Sequence, residues 1–165
     1  MPAGLVLDTC IVSEFAKRAD QQNPYFRAWI REVDPSDIVI PVAAVFEIQC
    51  GIQKIALTNP AKSEALAEWL ESLLVSGLYV QTVTVEIARL HAKMVVTPAL
   101  KNLWLTTPKS GPQSPGQDLV VAATAIILGA AVVTANMRDF ELVDSYFPLP
   151  GLHNPMAEFN QIAVV

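Results

Sequence analysis

The longest uncharged stretch of the chain, LVVAATAIILGAAVVTANM at residues 119–137, strongly limits the folds available to it. A run of this length either crosses a membrane or is buried inside a folded domain. Gly129 interrupts it, and Thr124, Thr134 and Asn136 make it less apolar than a typical membrane span. We therefore predict a buried helix that stops at the glycine, followed by a buried strand.

Short apolar segments rich in β-branched residues alternate with segments of helical periodicity along the chain. Strands are predicted at residues 4–7, 37–41, 78–83 and 132–134. Helices are predicted at residues 9–18, 23–33, 42–57, 61–74, 84–96, 117–128 and 137–143. This alternation is typical of a parallel sheet covered by helices on both faces. We expect a single domain over residues 1–165, with a long loop insertion at 97–117 and an irregular C-terminal tail at 146–165.

Composition argues against several classes of protein. Hydrophobic residues make up 52% of the sequence and charged residues 16%, which excludes a disordered chain. The net charge of −5 argues against nonspecific nucleic-acid binding, although a local basic groove or bridging metal ions would still permit specific binding. Cys10 and Cys50 lie in apolar stretches, so we expect buried thiols and a reducing compartment. Asp8 interrupts the apolar core that a signal peptide requires, so we expect a cytoplasmic protein without a membrane anchor.

Four carboxylates are candidate functional groups, because parallel sheets usually carry such groups at the carboxyl ends of their strands. Asp8 directly follows the first strand, Asp139 follows the last, Asp118 opens the helix before it, and Glu47 lies in the helix after the second strand. The aspartates also have simpler explanations. Asp8 and Asp118 could cap the helices that begin beside them, and Asp139 could support a helix capped by Asn136.

Glu47 is harder to explain by capping, because it lies in the middle of its predicted helix between Phe46 and Ile48. Gly51 follows one turn later on the same face, where glycine costs about 1 kcal/mol relative to alanine. This combination suggests that another group approaches the helix closely there. Alternatively, Glu47 points to solvent and pairs with Lys54.

Several carboxylates directed at one point repel each other, and a hard divalent cation removes that conflict. Mg²⁺ and Mn²⁺ prefer oxygen ligands and retain waters that substrate phosphates can replace. His91 and His153 are far apart in the sequence and form no zinc-ligand pattern. No phosphate-binding glycine motif and no nucleophilic serine motif occurs. A nucleophilic pairing of Cys10 or Cys50 with His91 stays open.

Three segments, in this order along the chain, resemble the motifs of PIN-domain nucleases. They are LVLDTCIVSEFAK at residues 5–17, PVAAVFEIQCG at 41–51 and DLVVAATAIILGAAVVTANMRDF at 118–140. Among PIN domains, the chain is most similar to the VapC-like toxins of bacterial and archaeal toxin–antitoxin pairs. The resemblance implies a three-layer α/β/α sandwich with a mainly parallel sheet of four to five strands. It also implies a ribonuclease that depends on Mg²⁺ or Mn²⁺ and leaves 5′-phosphate and 3′-hydroxyl ends.

The resemblance also assigns roles to residues at matching positions. The acidic residues at catalytic and metal-binding positions are Asp8, Glu47 and Asp118, with Asp139 at a more variable fourth position. The polar residues that support such a site are Thr9, Thr134 and Asn136. Three basic residues lie near these positions in the sequence, namely Lys17, Arg18 and Arg138. They could contact the RNA backbone, but solvated surface charges explain them equally well.

Such toxins are usually homodimers, and an antitoxin silences them by covering the acidic site, often with a basic residue that reaches the carboxylates. The sequence departs from the family pattern at Cys10, where a small polar residue is common. One alternative is a PIN-like module that binds RNA or protein without catalysis. A phosphotransfer domain is a weaker alternative, because no second aspartate stands two residues after Asp8, as haloacid dehalogenases require.

Overall fold

The computed structural model describes residues 4–105 and 115–157. Its strands are β1 Leu5–Leu7, β2 Ile38–Pro41, β3 Tyr79–Gln81, β4 Ala131–Val133 and β5 Leu152–His153. Its α-helices are α1 Thr9–Val12, α2 Pro24–Glu32, α3 Val42–Ala56, α4 Pro60–Leu74, α5 Val85–Val95, α6 Asp118–Leu128 and α7 Met137–Tyr146. Short 3₁₀ helices occupy Ser13–Ala16, Pro35–Asp37 and Pro98–Leu103. Within the described residues the strands form one sheet in the order β3-β2-β1-β4-β5.

Helices cover both faces of this sheet, and every strand pair in it is parallel. Successive side chains of a strand point to opposite faces, so Val6 and Val132 enter one hydrophobic core while Leu7 and Val133 enter the other. The first core lies beneath α5, α6 and α7, and the second lies beneath α1, α2, α3 and α4. The three-layer α/β/α sandwich expected from the sequence is confirmed.

The uncharged run at 119–137 lies at the centre of this arrangement. It supplies most of α6, a stop at Gly129 and the fully buried β4, as predicted. Gly129 has a φ of 64°, in the left-handed region that favours glycine at the end of a helix. In the part of the chain that the structure describes, no helix is long and apolar enough to cross a membrane.

The first helix is shorter than the predicted 9–18. After α1 the chain tightens into the 3₁₀ helix Ser13–Ala16 and then turns away. Glu14 explains the early end, because its buried carboxylate accepts a hydrogen bond from the N–H of Asn23 at 3.0 Å and draws the following loop back. A carboxylate buried this close to a helix end leaves no periodic signal in the sequence.

Two segments expected to be irregular contain ordered elements. Within 97–117, Pro98–Leu103 forms a 3₁₀ helix, while residues 106–114 lie outside the described part of the chain. Within 146–165, the two-residue strand β5 pairs with β4, and residues 158–165 are again not described. A strand of two residues is held by backbone hydrogen bonds to its neighbour, so its side chains show no alternation that a sequence could reveal.

Candidate metal centre

The carboxyl ends of β1 and β4 meet where the sheet order reverses, since β2 and β3 lie on one side of β1 and β4 and β5 on the other. Asp8 follows β1 and is only 5% exposed. Its Oδ1 accepts the N–H of Thr9 at 2.8 Å and caps α1. Its Oδ2 accepts the hydroxyl of Thr134, a buried residue directly after β4, at 2.7 Å. Asp8 is therefore a helix cap, and the same contacts also hold its carboxylate between the two strand ends.

Glu47 approaches the same point from α3. Its Oε1 accepts a hydrogen bond from the hydroxyl of Thr9 at 2.8 Å, so the carboxylate faces the strand ends. Burial raises the pKa of Glu47, and the charge of Asp8 adds to the rise, while the bond from Thr9 and the charge of Lys54 oppose it. The bond from Thr9 contradicts the alternative in which Glu47 points only to solvent, while the attraction to Lys54 that this alternative included is present.

Asp118 is the first residue of α6, and its side chain does not cap the helix, because the N-cap position belongs to Gln117. The amide nitrogen Nδ2 of Asn136 donates to Oδ2 of Asp118 at 3.3 Å and to Oδ2 of Asp139 at 2.8 Å. Asn136 occupies the N-cap position of α7 but makes no side-chain capping bond. Its amide links two carboxylates instead.

Asp8, Glu47 and Asp118 each bring a ligand oxygen into one group, in which all these atoms lie within 4.8 Å of one another. Asp139 is not part of this acidic group and is linked to it through Asn136. Burial, followed by the charges of Asp8, Glu47 and Asp139, raises the pKa of Asp118 to about 7. Burial therefore favours the protonated form of Asp118, and the three neighbouring carboxylates further disfavour a negative charge there.

Cys10 makes contacts that join the two strand ends, although its sequence position gave no role for it. Its thiol donates to Oδ2 of Asp8 at 3.4 Å and accepts the N–H of Ala135 at 3.4 Å, so it joins the ends of β1 and β4. Burial, followed by the charge of Asp8, raises the pKa of the thiol to about 11. A thiol that stays protonated is a poor nucleophile, which argues against pairing Cys10 with a histidine. Its position two residues after Asp8 was the available sequence signal.

The three basic residues expected near the site take different positions. Lys17 pairs with the buried carboxylate of Glu14 and lines a cleft beside the acidic group. Arg18 pairs with Asp20 at 3.3 Å, and its side chain is 79% exposed. Arg138 is exposed in the first turn of α7. Of the three, Lys17 is the one that the fold fixes against a cavity wall.

The cleft beside the acidic group has a volume of roughly 440 Å³, and Thr9 and Glu47 form part of its wall. Its apolar lining comes from side chains of α3 and α4, namely Ile48, Ile52, Ile55, Leu66 and Trp69. A Cβ added at Gly51 would meet nothing within 4 Å, so no described residue makes the close approach expected there. Gly51 instead borders the open cleft, which connects the acidic group to an apolar surface.

Comparisons with known proteins agree with this fold. The sequence matches the family described as PIN domain over residues 5–145. A chain of FitAcB from Neisseria gonorrhoeae superposes with a TM-score of 0.67 at 22% identity, covering 93% of this chain and 99% of that one. VapBC-1 from nontypeable Haemophilus influenzae superposes with a TM-score of 0.62 at 21% identity, covering 93% of this chain and 98% of that one. A toxin-antitoxin complex from Klebsiella pneumoniae superposes with a TM-score of 0.56 at 17% identity, covering 92% of this chain and 98% of that one. No curated protein matches the sequence significantly.

Proposed function

The chain belongs to the PIN domain family, and from this premise we propose that it is a metal-dependent endoribonuclease, the toxin of a toxin–antitoxin pair. One observation carries the proposal: ligand oxygens of Asp8, Glu47 and Asp118 lie within 4.8 Å of one another at the carboxyl edge of the sheet. PIN domains are generally nucleases, and hydrolysis of a phosphodiester needs a site that can gather divalent cations beside the phosphate.

The donor set fits Mg²⁺ or Mn²⁺. All three side chains offer carboxylate oxygens, which hard divalent cations prefer, and the group contains no histidine or cysteine. The raised pKa of Asp118 is consistent with the same assignment, because burial and then the neighbouring carboxylates disfavour its negative charge, and a bound cation would compensate for both. We assign Asp8, Glu47 and Asp118 as ligands, with Asp139 at the fourth acidic position.

The hydrogen bonds suggest how the chain prepares the site. Thr134 and the N–H of Thr9 orient the two oxygens of Asp8, and the hydroxyl of Thr9 orients Glu47. Asp118 has to release its proton before it can act as a ligand, because its pKa is about 7. A divalent cation bound there would supply water activation and neutralise charge that develops on the phosphate. No carboxylate then needs to be the only general base, and the expected products carry 5′-phosphate and 3′-hydroxyl ends.

The charge of the chain bears on the RNA substrate. With a net charge of −5, the protein has little general attraction for a polyanion, so recognition depends on local contacts. Lys17 lines the cleft wall and Arg138 stands beside Asp139 in α7, so we propose these two residues as RNA contacts. Arg18 is exposed and pairs with Asp20. We therefore propose cleavage at one structured or localised RNA site.

We also propose a cognate antitoxin as the partner of this chain. One structure with the same fold is a toxin-antitoxin complex. The apolar cleft fits an apolar segment of such a partner, and its continuity with Glu47 lets a basic residue of that segment reach the carboxylates. We further propose that the chain forms a homodimer and acts in the cytoplasm.

Sequencing of RNA 5′ ends from cells that express the chain tests this function. The wild type should create new 5′-phosphate ends at few sites, and Asp118→Asn should create none because it removes one ligand. The control is Asp37→Asn, which changes an exposed carboxylate outside the acidic group and should cleave like the wild type. If the wild type creates no new ends but still binds RNA or protein, the chain is a non-catalytic PIN-like module instead.

A further inference from the structure

Asp118 lies at the free end of a buried helix. Residues 119–125 of α6 are buried, which fixes the axis of the helix. At its first turn, however, Gln117 provides no side-chain cap, and the bond from Asn136 at 3.3 Å is the single one that a described residue donates to the Asp118 carboxylate. The position of Asp118 therefore depends on the backbone just before α6 as well as on the helix itself.

Gly116 fixes this backbone, because it lies directly against the end of the 3₁₀ helix Pro98–Leu103. Its N–H donates to the carbonyl oxygen of Trp104 at 3.3 Å. A Cβ at Gly116 would lie 2.1 Å from the carbonyl oxygen of Leu103, 3.0 Å from its carbonyl carbon and 3.3 Å from Cα of Trp104. All three are backbone atoms, so rotation of a side chain cannot make room.

The 3₁₀ helix is itself anchored in the core. Leu100 is fully buried in the cluster that α6 also enters, and Leu103 and Trp104 pack against the same cluster. A methyl group added at Gly116 would therefore move the chain at that residue rather than the 3₁₀ helix. Ordinary contact begins near 3.4 Å, so relief of the 2.1 Å contact needs a shift of about 1.3 Å, two residues before Asp118.

We infer that Gly116 is a positioning residue, whose missing side chain sets the distance of Asp118 from Asp8 and Glu47. The inference rests on the proposed function, since it gives a purpose to the spacing of these three carboxylates. A shift of about 1.3 Å is large beside the 4.8 Å within which their oxygens lie. Residues that orient metal ligands without touching the metal typically change affinity about 10- to 100-fold when altered.

The experiment compares Mn²⁺ binding to the purified full chain by calorimetry, with melting midpoints measured in EDTA. Gly116→Ala should lower Mn²⁺ affinity about 10- to 100-fold while the melting midpoint stays within about 5 °C of the wild type. Asp118→Asn sets the scale for complete loss of one ligand. The matched control is Gln117→Ala, whose side chain bonds only to the carbonyl of Pro115 among the described residues, and its affinity should stay within about twofold of the wild type.

Unchanged Mn²⁺ affinity in Gly116→Ala would overturn the inference and leave the proposed function standing. A wild type that binds no Mn²⁺ would overturn the proposed function and the inference with it. If Gly116→Ala does not fold, Leu103→Ala decides, because it loosens the 3₁₀ helix while Gly116 remains in place. Leu103→Ala should then bind Mn²⁺ more weakly than the wild type while it still shows a melting transition. A Leu103→Ala protein with the Mn²⁺ affinity of the wild type would count against the inference.

Discussion

Replacing Asp118 by asparagine should stabilise the metal-free protein, although it removes a proposed ligand. Burial and the charges of Asp8, Glu47 and Asp139 raise the pKa of Asp118 from 3.8 to about 7. The ionised carboxylate is therefore unfavourable in the folded state, and an amide of the same shape avoids that cost. Asp118→Asn keeps the side-chain volume, so the change isolates the charge.

The sign of the pH dependence follows from the two protonation states of Asp118. Below pH 3.8 the group is protonated in both the folded and the unfolded chain, and the repulsion is absent. Between pH 3.8 and about 7 the folded state keeps a proton that the unfolded chain has lost, so the free energy of unfolding falls as the pH rises. The interval is roughly three pH units at about 1.4 kcal/mol each. Ionisation of Asp118 therefore lowers the free energy of unfolding of the wild type by up to about 4 kcal/mol above pH 7.

Urea unfolding in EDTA measures the effect. Asp118→Asn should raise the free energy of unfolding by up to about 4 kcal/mol at pH 8 and by only about 1.5 kcal/mol at pH 5. Asp37→Asn, at an exposed carboxylate, should change it by less than about 0.5 kcal/mol at either pH. Equal stability of Asp118→Asn and the wild type at pH 8, or a gain that does not depend on pH, would refute the electrostatic reasoning.

Three further results are expected from the same site. Iodoacetamide at pH 8 should modify Cys10 only after unfolding in urea, because burial and the charge of Asp8 raise the pKa of the thiol to about 11. Mass spectrometry that finds Cys10 alkylated in the folded protein would contradict this. Thr134→Val should lower the free energy of unfolding by about 1–3 kcal/mol, because Oδ2 of Asp8 loses a buried donor, and an unchanged urea midpoint would argue otherwise. Calorimetric Mn²⁺ affinity should rise about tenfold per pH unit up to pH 7 and then level off as Asp118 loses its proton, whereas a flat profile would be inconsistent with its raised pKa.

The sheet could be predicted from the sequence because its central elements are apolar throughout. The run that forms α6, the stop at Gly129 and β4 has no charged residue, so its burial inside the domain could be predicted. β5 could not be predicted, because two residues held by backbone bonds to β4 carry no side-chain pattern. The early end of the first helix depends on where the buried Glu14 points, which periodicity does not encode.

The candidate site was only partly visible in the sequence for a similar reason. The position of Asp8 at a strand end follows from local sequence, since a buried strand dictates where the next residue lies. That Glu47 faces Asp8 depends on how α3 is rotated on the sheet, and its bond to Thr9 appears only in three dimensions. The same holds for Asn136, which local sequence suggested as a helix cap and which instead joins Asp118 to Asp139.

Cleavage of RNA by the purified protein tests the proposed function most directly, with Mn²⁺ added to metal-free samples in steps and the product ends identified. We predict that cleavage follows Mn²⁺ occupancy, leaves 5′-phosphate and 3′-hydroxyl ends, and is lost in Asp8→Asn, Glu47→Gln and Asp118→Asn. Asp37→Asn should cleave like the wild type. Cleavage that persists in EDTA, or wild-type protein that binds Mn²⁺ and RNA yet leaves the RNA intact, would contradict a metal-dependent ribonuclease.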